Sequence, residues 1–153
     1  MSAITLLQRD HEALKGVLRD LEATTERAVQ TRIDLFERIR HDLSVHEAIE
    51  EEIFYPTLKQ HPRAREIVLE GYEEHDVVNI LLRELEQVPV DDETWGPKAK
   101  VMIENIEHHI EEEETDMFPK ARQVFDDQEL EELGAVMAER KAELLPVVRT
   151  GRI

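Results

Sequence analysis

The sequence predicts an all-α protein: an up-down-up-down four-helix bundle built from two duplicated helical hairpins, followed by an extra C-terminal helix. Three observations carry this. Apolar residues recur at spacings of three and four along most of the chain, the stripe of amphipathic helices. Only five Gly and six Pro interrupt 153 residues, and β-branched residues never alternate with polar ones over a strand length. Finally, the segment that starts at His11 returns at His75, and the one that starts at His46 returns at His109.

Taken in order, Ile4, Leu7, His11, Leu14, Val17, Leu18 and Leu21 form the first stripe, which predicts a helix running to about Arg27. Leu35, Phe36, Ile39, Leu43, His46, Ile49, Glu50 and Ile53 place a second helix over about 31–60. His61-Pro62 ends it, because the residue before a proline is pushed out of the helical region. Ile67, Val68, Tyr72, His75, Val78, Leu81, Leu82 and Leu85 mark the third helix, and Pro89, Asp91, Asp92 and Gly96 the loop after it. The fourth holds Val101, Met102, Ile106, His109, Ile110, Glu113, Met117 and Phe118, with Pro119 near its end. A last helix over about 127–145 completes a single domain, 1–153, whose bundle occupies about 1–124.

The repeat is specific. His11–Glu22 aligns with His75–Glu86 at a constant offset of 64, sharing His, Leu, Arg, Leu and Glu. His46, Glu50, Glu51 and Pro56 align with His109, Glu113, Glu114 and Pro119 at an offset of 63. Chance similarity between acidic helices does not align histidines, His-x-x-x-Glu pairs and prolines together.

Composition narrows the chemistry. A net charge of −17 repels phosphate backbones and anionic membrane surfaces, so neither nucleic acid nor membrane is an expected partner. With no cysteine, thiolate nucleophiles, iron–sulfur clusters and cysteine-based zinc sites are excluded, and a metal must sit on His, Asp, Glu or Tyr. The opening MSAITLLQRDHEALKG lacks a basic region followed by a long apolar stretch, and a soluble, cytoplasmic protein is expected.

Residues four apart on a helix differ by about 40° in direction and about 6 Å in height, so His46 with Glu50 and His109 with Glu113 each point one way. In a four-helix bundle these faces converge with those of His11 and His75. Four imidazoles and two carboxylates suit iron, manganese or zinc rather than calcium or magnesium, and six ligands suit two ions. Left without a cation, the facing Glu50 and Glu113 are expected to be uncompensated, so that metal removal destabilises the fold at neutral pH. His108 and Glu112 also satisfy His-x-x-x-Glu, but the alignment to Pro119 selects His109 and Glu113. His41, about 140° from His46, and His61, at a helix break, are expected at the surface.

Through this pattern, H…HxxxE…H…HxxxE, the sequence resembles the hemerythrin-like family, the HHE cation-binding domains, over residues 1 to about 120. HEAIEEEIFYP and HIEEEETDMFP are similar to the family's two His-x-x-x-Glu-Glu segments ending in an apolar or aromatic residue and Pro. The resemblance implies two iron ions (Fe2+/Fe3+), with His11, His46, His75 and His109 as terminal ligands. It implies further that Glu50 and Glu113 bridge the irons together with an oxo or hydroxo group. Iron over manganese rests on the resemblance alone.

Two departures from the oxygen-carrying hemerythrins bear on function. Asn79 stands where those proteins have a second histidine four residues after the one on helix three, and the last motif is His-x-x-x-Glu where theirs is His-x-x-x-x-Asp. One nitrogen ligand is missing. Water would leave an open site for O2, peroxide or NO; otherwise Glu47, beside His46, is the first candidate and Tyr55 the second, although an ideal helix turns Tyr55 about 180° from His46. Ferritin-like Glu-x-x-His pairs and a zinc-protease His-Glu-x-x-His are absent from the sequence. The expected function is a di-iron redox enzyme acting on peroxide or O2, with catalase-like peroxide removal preferred. The alternatives are a non-catalytic module that binds or senses O2, NO or iron, and a structural bundle. Leu130, Leu133, Val136, Met137, Leu144 and Leu145 offer the last helix a face for the bundle or for a partner.

Overall fold

The computed structural model describes residues 1–150, with side chains described to Pro146. Helix α1 is Ala3–Glu22, capped by the Ser2 hydroxyl, which accepts from the Thr5 N–H. It ends short of Arg27 because the Thr24 hydroxyl donates to the Leu21 carbonyl (2.7 Å) and closes the last turn. Helix α2 begins at Val29 and runs through Ile49, a π-helical turn Glu50–Phe54 and Tyr55–Lys59 without a break. After the His61-Pro62 break, α3 is Pro62–Glu86. Helix α4 repeats the plan of α2: Trp95–Glu112, a π turn Glu113–Met117, then Phe118–Val124. Helix α5, Asp127–Thr150, is opened by a reciprocal cap in which Asp126 accepts from the Glu129 N–H and Glu129 from the Asp126 N–H. The predicted bundle of two hairpins with an added C-terminal helix is the observed fold.

The two π turns have the same cause. Pro56 and Pro119 lack an N–H, and a proline ring inside an α-helix collides with the carbonyl four residues earlier. Here the residue before each proline bonds five back instead: Tyr55 N–H to Glu50 O, and Phe118 N–H to Glu113 O. The widened turn absorbs one residue, so neither proline stops its helix.

Two apolar layers fill the interior. One contains Leu14, Leu18, Phe36, Ile39, Trp95, Met102 and Ile106; the other contains Ile4, Leu7, Phe54, Leu58, Val68, Phe118 and Met137. His11 lies between Leu7 and Leu14 on α1, and His46 between Leu43 and Ile49 on α2, so the polar residues form a slab between the two layers. At the far end Arg32 donates to Thr24 Oγ1 (3.0 Å) and to the Val90 carbonyl (2.7 Å), and lies over the Trp95 ring, tying the two hairpins together.

Helix α5 packs on α1 and α2, burying Leu130 and Met137, while Val136 faces solvent. Among the described residues no helix is long and apolar enough to cross a membrane. Gly134 sets how closely α5 approaches: a Cβ there would stand 2.7 Å from the Ser2 carbonyl carbon and 2.8 Å from the Ala3 nitrogen. Those atoms are backbone and cannot rotate away. Gly134→Ala is therefore expected to destabilise the protein by about 1–3 kcal/mol despite alanine's better helix propensity, read as a lowered midpoint in urea.

Candidate metal centre

Six side chains from four helices meet in the slab: His11 from α1, His46 and Glu50 from α2, His75 from α3, and His109 and Glu113 from α4. Glu50, Glu113 and His11 are fully buried. His11 Nε2 is 2.9 Å from Glu113, and His75 Nε2 is 3.0 Å from Glu50. Within the His-x-x-x-Glu pairs, His46 Nε2 is 3.4 Å from Glu50 and His109 Nε2 is 3.4 Å from Glu113. One turn of helix separates each pair, as the spacing predicts.

Each of these four histidines turns Nε2 inward because its Nδ1 faces an outer carboxylate. His46 Nδ1 is 3.0 Å from Asp10, His109 Nδ1 is 2.6 Å from Glu74, His75 Nδ1 is 2.7 Å from Glu51, and His11 Nδ1 is 2.7 Å from Glu114. Each of these bonds crosses to a neighbouring helix, so the four form a ring around the bundle. With Nδ1–H donating outward, a neutral imidazole presents only a lone pair inward. The centre then holds lone pairs facing lone pairs: His75 and His109 Nε2 lie 3.1 Å apart, and His46 Nε2 and Glu50 Oε2 are buried with no hydrogen-bond partner. A cation satisfies all of them at once, so the donor set fits a metal. Nitrogen and carboxylate donors together favour a transition ion.

The six residues divide into two overlapping groups, His11–His46–Glu50–Glu113 and His75–His109–Glu50–Glu113. Both carboxylates belong to both groups. Five residues after Glu50, an α-helix would turn Tyr55 about 140° away; the π turn brings it to about 40°, over the same face. Its hydroxyl donates to Glu113 (2.5 Å) and lies 3.3 Å from His75 Nε2 and 3.4 Å from His109 Nε2. The ring stacks on His75, and Gly71 makes room for it, since a Cβ there would stand 2.9 Å from the Tyr55 oxygen. In the other half the π turn places Phe118 on His11 in the same way. Glu47 instead accepts from Asn79 (3.0 Å) and lies beside Glu51 and His75, outside both groups that contain Glu50 and Glu113.

Of the remaining histidines, His108 is exposed, and His61 is half-buried against Phe125. His41 is not at the surface: it is buried under α5, with Nε2 3.2 Å from the Leu145 carbonyl. His41 does point away from the bundle axis, but a fifth helix covers that side. The four outer carboxylates are missing from the sequence reading. Their signal was in the repeat, since Asp10 and Glu74 directly precede His11 and His75, and Glu51 and Glu114 directly follow Glu50 and Glu113.

A buried centre of four histidines and two carboxylates in a four-helix bundle defines the class: a helical cation-binding domain. The sequence profile described as "Hemerythrin HHE cation binding domain" matches residues 2–121, and the chain belongs to that family. Uncharacterized proteins of Mycobacterium tuberculosis and Mycobacterium bovis are each 32% identical to it, over 94% of this chain and 88% of theirs. A crystal structure of a Hemerythrin HHE cation binding domain-containing protein from Mycobacterium kansasii superposes with a TM-score of 0.86. It is 28% identical, and the match covers 96% of this chain and 89% of that one.

Metal-free, Glu50 and Glu113 are not uncompensated, as their sequence positions alone imply. Burial pushes Glu50 up, as does the charge of Glu113, but the facing imidazoles hold both carboxyls below the usual range. Burial pushes His46, His75 and His109 down, but the carboxylates outweigh it and raise all three, His75 to about 9. A raised histidine contributes stability that is complete below its unfolded value of 6.5 and is lost as pH rises through the folded one. The lowered glutamates contribute above 4.5 and lose that contribution on acidification. The melting temperature of metal-free protein should therefore fall between about pH 6.5 and 9, and that of metal-loaded protein should not, because bound imidazoles are already deprotonated. Calorimetry across that range checks this, and a metal-free profile that is flat or rising contradicts it.

Proposed function

We propose that this chain is a non-haem di-iron protein with an open coordination position, working in the cytoplasm on peroxide or O2, and that catalase-like peroxide removal is its reaction. One observation carries the reading: the two halves of the centre are unequal. The His75–His109 half has the Tyr55 hydroxyl within 3.4 Å of both imidazoles, whereas the His11–His46 half has the Phe118 ring and the partnerless His46 Nε2. A small molecule finds its position on the His11–His46 side.

Two iron ions would be held by the four Nε2 atoms and by Glu50 and Glu113, and would supply reversible two-electron chemistry. Peroxide removal balances as two H2O2 giving two H2O and one O2, with one peroxide reduced and the other oxidised. The outer ring of Asp10, Glu51, Glu74 and Glu114 holds each imidazole in the tautomer that binds metal. In the metal-free protein burial and Glu113 raise the Tyr55 hydroxyl well above its usual pKa, so it stays protonated and hydrogen-bonds to Glu113; a bound cation would compete for the phenol oxygen. The apolar layers above and below exclude bulk water.

A second reading, reversible binding or sensing of O2, NO or iron, draws on the enclosure of the centre, where His46 and His109 are each only 6% exposed. Turnover separates the two.

Freshly purified protein is expected to contain about two irons per chain and to show absorption that responds to peroxide and dithionite. His46→Ala is expected to slow O2 release from peroxide at least about 100-fold, since even an outer partner of a metal ligand costs about 10- to 100-fold. A stable, reversible O2 adduct without turnover favours the binding reading, and zinc or no metal after growth in iron-supplemented medium overturns both. Tyr55→Phe is expected to retain both irons and to lose a phenolate-to-iron band in the visible spectrum. An unchanged spectrum leaves Tyr55 as a hydrogen-bond donor only.

A further inference from the structure

Asymmetry also appears on the outside of the centre. Helix α5 roofs the α1–α2 side and encloses a cavity of about 210 Å3 against His46, enough for about seven waters at roughly 30 Å3 each. Ala13, Leu14, Val45 and Leu145 give it apolar walls, and Asp10, Asp42, His46 and Lys141 line the rest. Asp10 links its two ends. One of its carboxylate oxygens accepts from His46 Nδ1 (3.0 Å), and the other pairs with the Lys141 ammonium, a third of whose side chain is exposed. Leu145 is held over the cavity by the bond from His41 Nε2 to its carbonyl.

The duplicated half provides an internal comparison. Glu74 does for His109 what Asp10 does for His46, but the outer neighbour of Glu74 is the exposed His108, 3.6 Å away. Thus the roofed cavity stands on the side of the centre that has Phe118 rather than the Tyr55 hydroxyl. Two independent asymmetries, one inside the bundle and one outside, point to the same half.

Resting on the open-position reading above, we infer that this cavity is the access chamber through which a small neutral molecule reaches the His11–His46 side of the centre, and that Lys141 gates it. The lining favours a neutral molecule. Asp10 and Asp42 disfavour an anion, the one cation is paired to Asp10, and a chain of net charge −17 does not attract anions to its surface. Hydrogen peroxide, O2 and NO fit both the polarity and the size. Lys141 is a positioning residue: its side chain closes the mouth and holds Asp10 against His46.

The test uses reduced, iron-loaded protein with nitric oxide, a neutral diatomic probe that changes the absorption of ferrous iron, followed by stopped flow. Ala13 is exposed, lines the chamber and is a member of neither the ion pair nor the proposed ligand set, so Ala13→Trp plugs the chamber from outside. It is expected to slow association and dissociation alike by at least tenfold, with affinity, iron content and resting spectrum unchanged, the signature of an altered path rather than an altered site. Lys141→Ala is expected to speed both, and it serves independently should Ala13→Trp fail to fold. Rates unchanged in both variants, with a normal response in the wild type, overturn the chamber alone. No response of wild-type iron to nitric oxide overturns the open-position reading together with it.

Discussion

Glu50 and Glu113 lie at the middle of the bundle with no exposed surface and share the same four imidazoles. Burying a carboxylate costs several kcal/mol unless it is paired, and the rest of the architecture is arranged around meeting that cost. The apolar residues are split into two layers so that the polar slab can lie between them. The histidines come from all four helices, and each is oriented by a carboxylate on the next helix. Removing one outer carboxylate frees an imidazole to turn, and with it the inward lone pair that makes the site a cation site. Without a cation the same groups settle into ion pairs, which is why the metal-free protein is sensitive to the charge state of its histidines.

The prolines of the two halves turn a sequence repeat into two unequal halves of one centre. Each forces a π turn, and each π turn rotates the following aromatic residue over the metal-facing side of its helix. Because that residue is Tyr55 in one half and Phe118 in the other, one backbone device delivers a hydroxyl to one side and a bare ring to the other. Gly71 completes the difference by leaving space for the phenol. A duplicated fold acquires a direction in this way, with a hydroxyl over one half of the centre and a bare ring over the other.

Helix α5 adds the second source of direction. It belongs to neither repeat and packs on the first hairpin, docking through Gly134 on the start of α1 and through His41 on the Leu145 carbonyl. The consequence is that two chemically similar histidines, His46 and His109, meet different surroundings: one faces a roofed cavity with a lysine at its mouth, the other an acidic surface.

Periodicity, repeat and motif spacing made the five helices, the hairpin duplication and the inward residues legible, because a helix places residues four apart on one face whatever it packs against. That rule pairs His46 with Glu50 and His109 with Glu113, the repeat decides for His109 over His108, and the apolar stripes carry His11 and His75. The outer carboxylates were present in the repeat but indistinguishable there from a solvated acidic face, since their partners lie on neighbouring helices. Tyr55 is harder to place from sequence for a related reason: ideal helical phase points it away from the centre, and only the π turn forced by Pro56 brings it over that face, while Glu47, in the regular helix before the turn, accepts from Asn79 on the neighbouring helix. His41 was misplaced because the amphipathic stripe of α2 carries no record of α5. Local spacing determines which groups share a face; which of them meet depends on helix phase, neighbouring helices and the packing of a segment more than a hundred residues away in the chain.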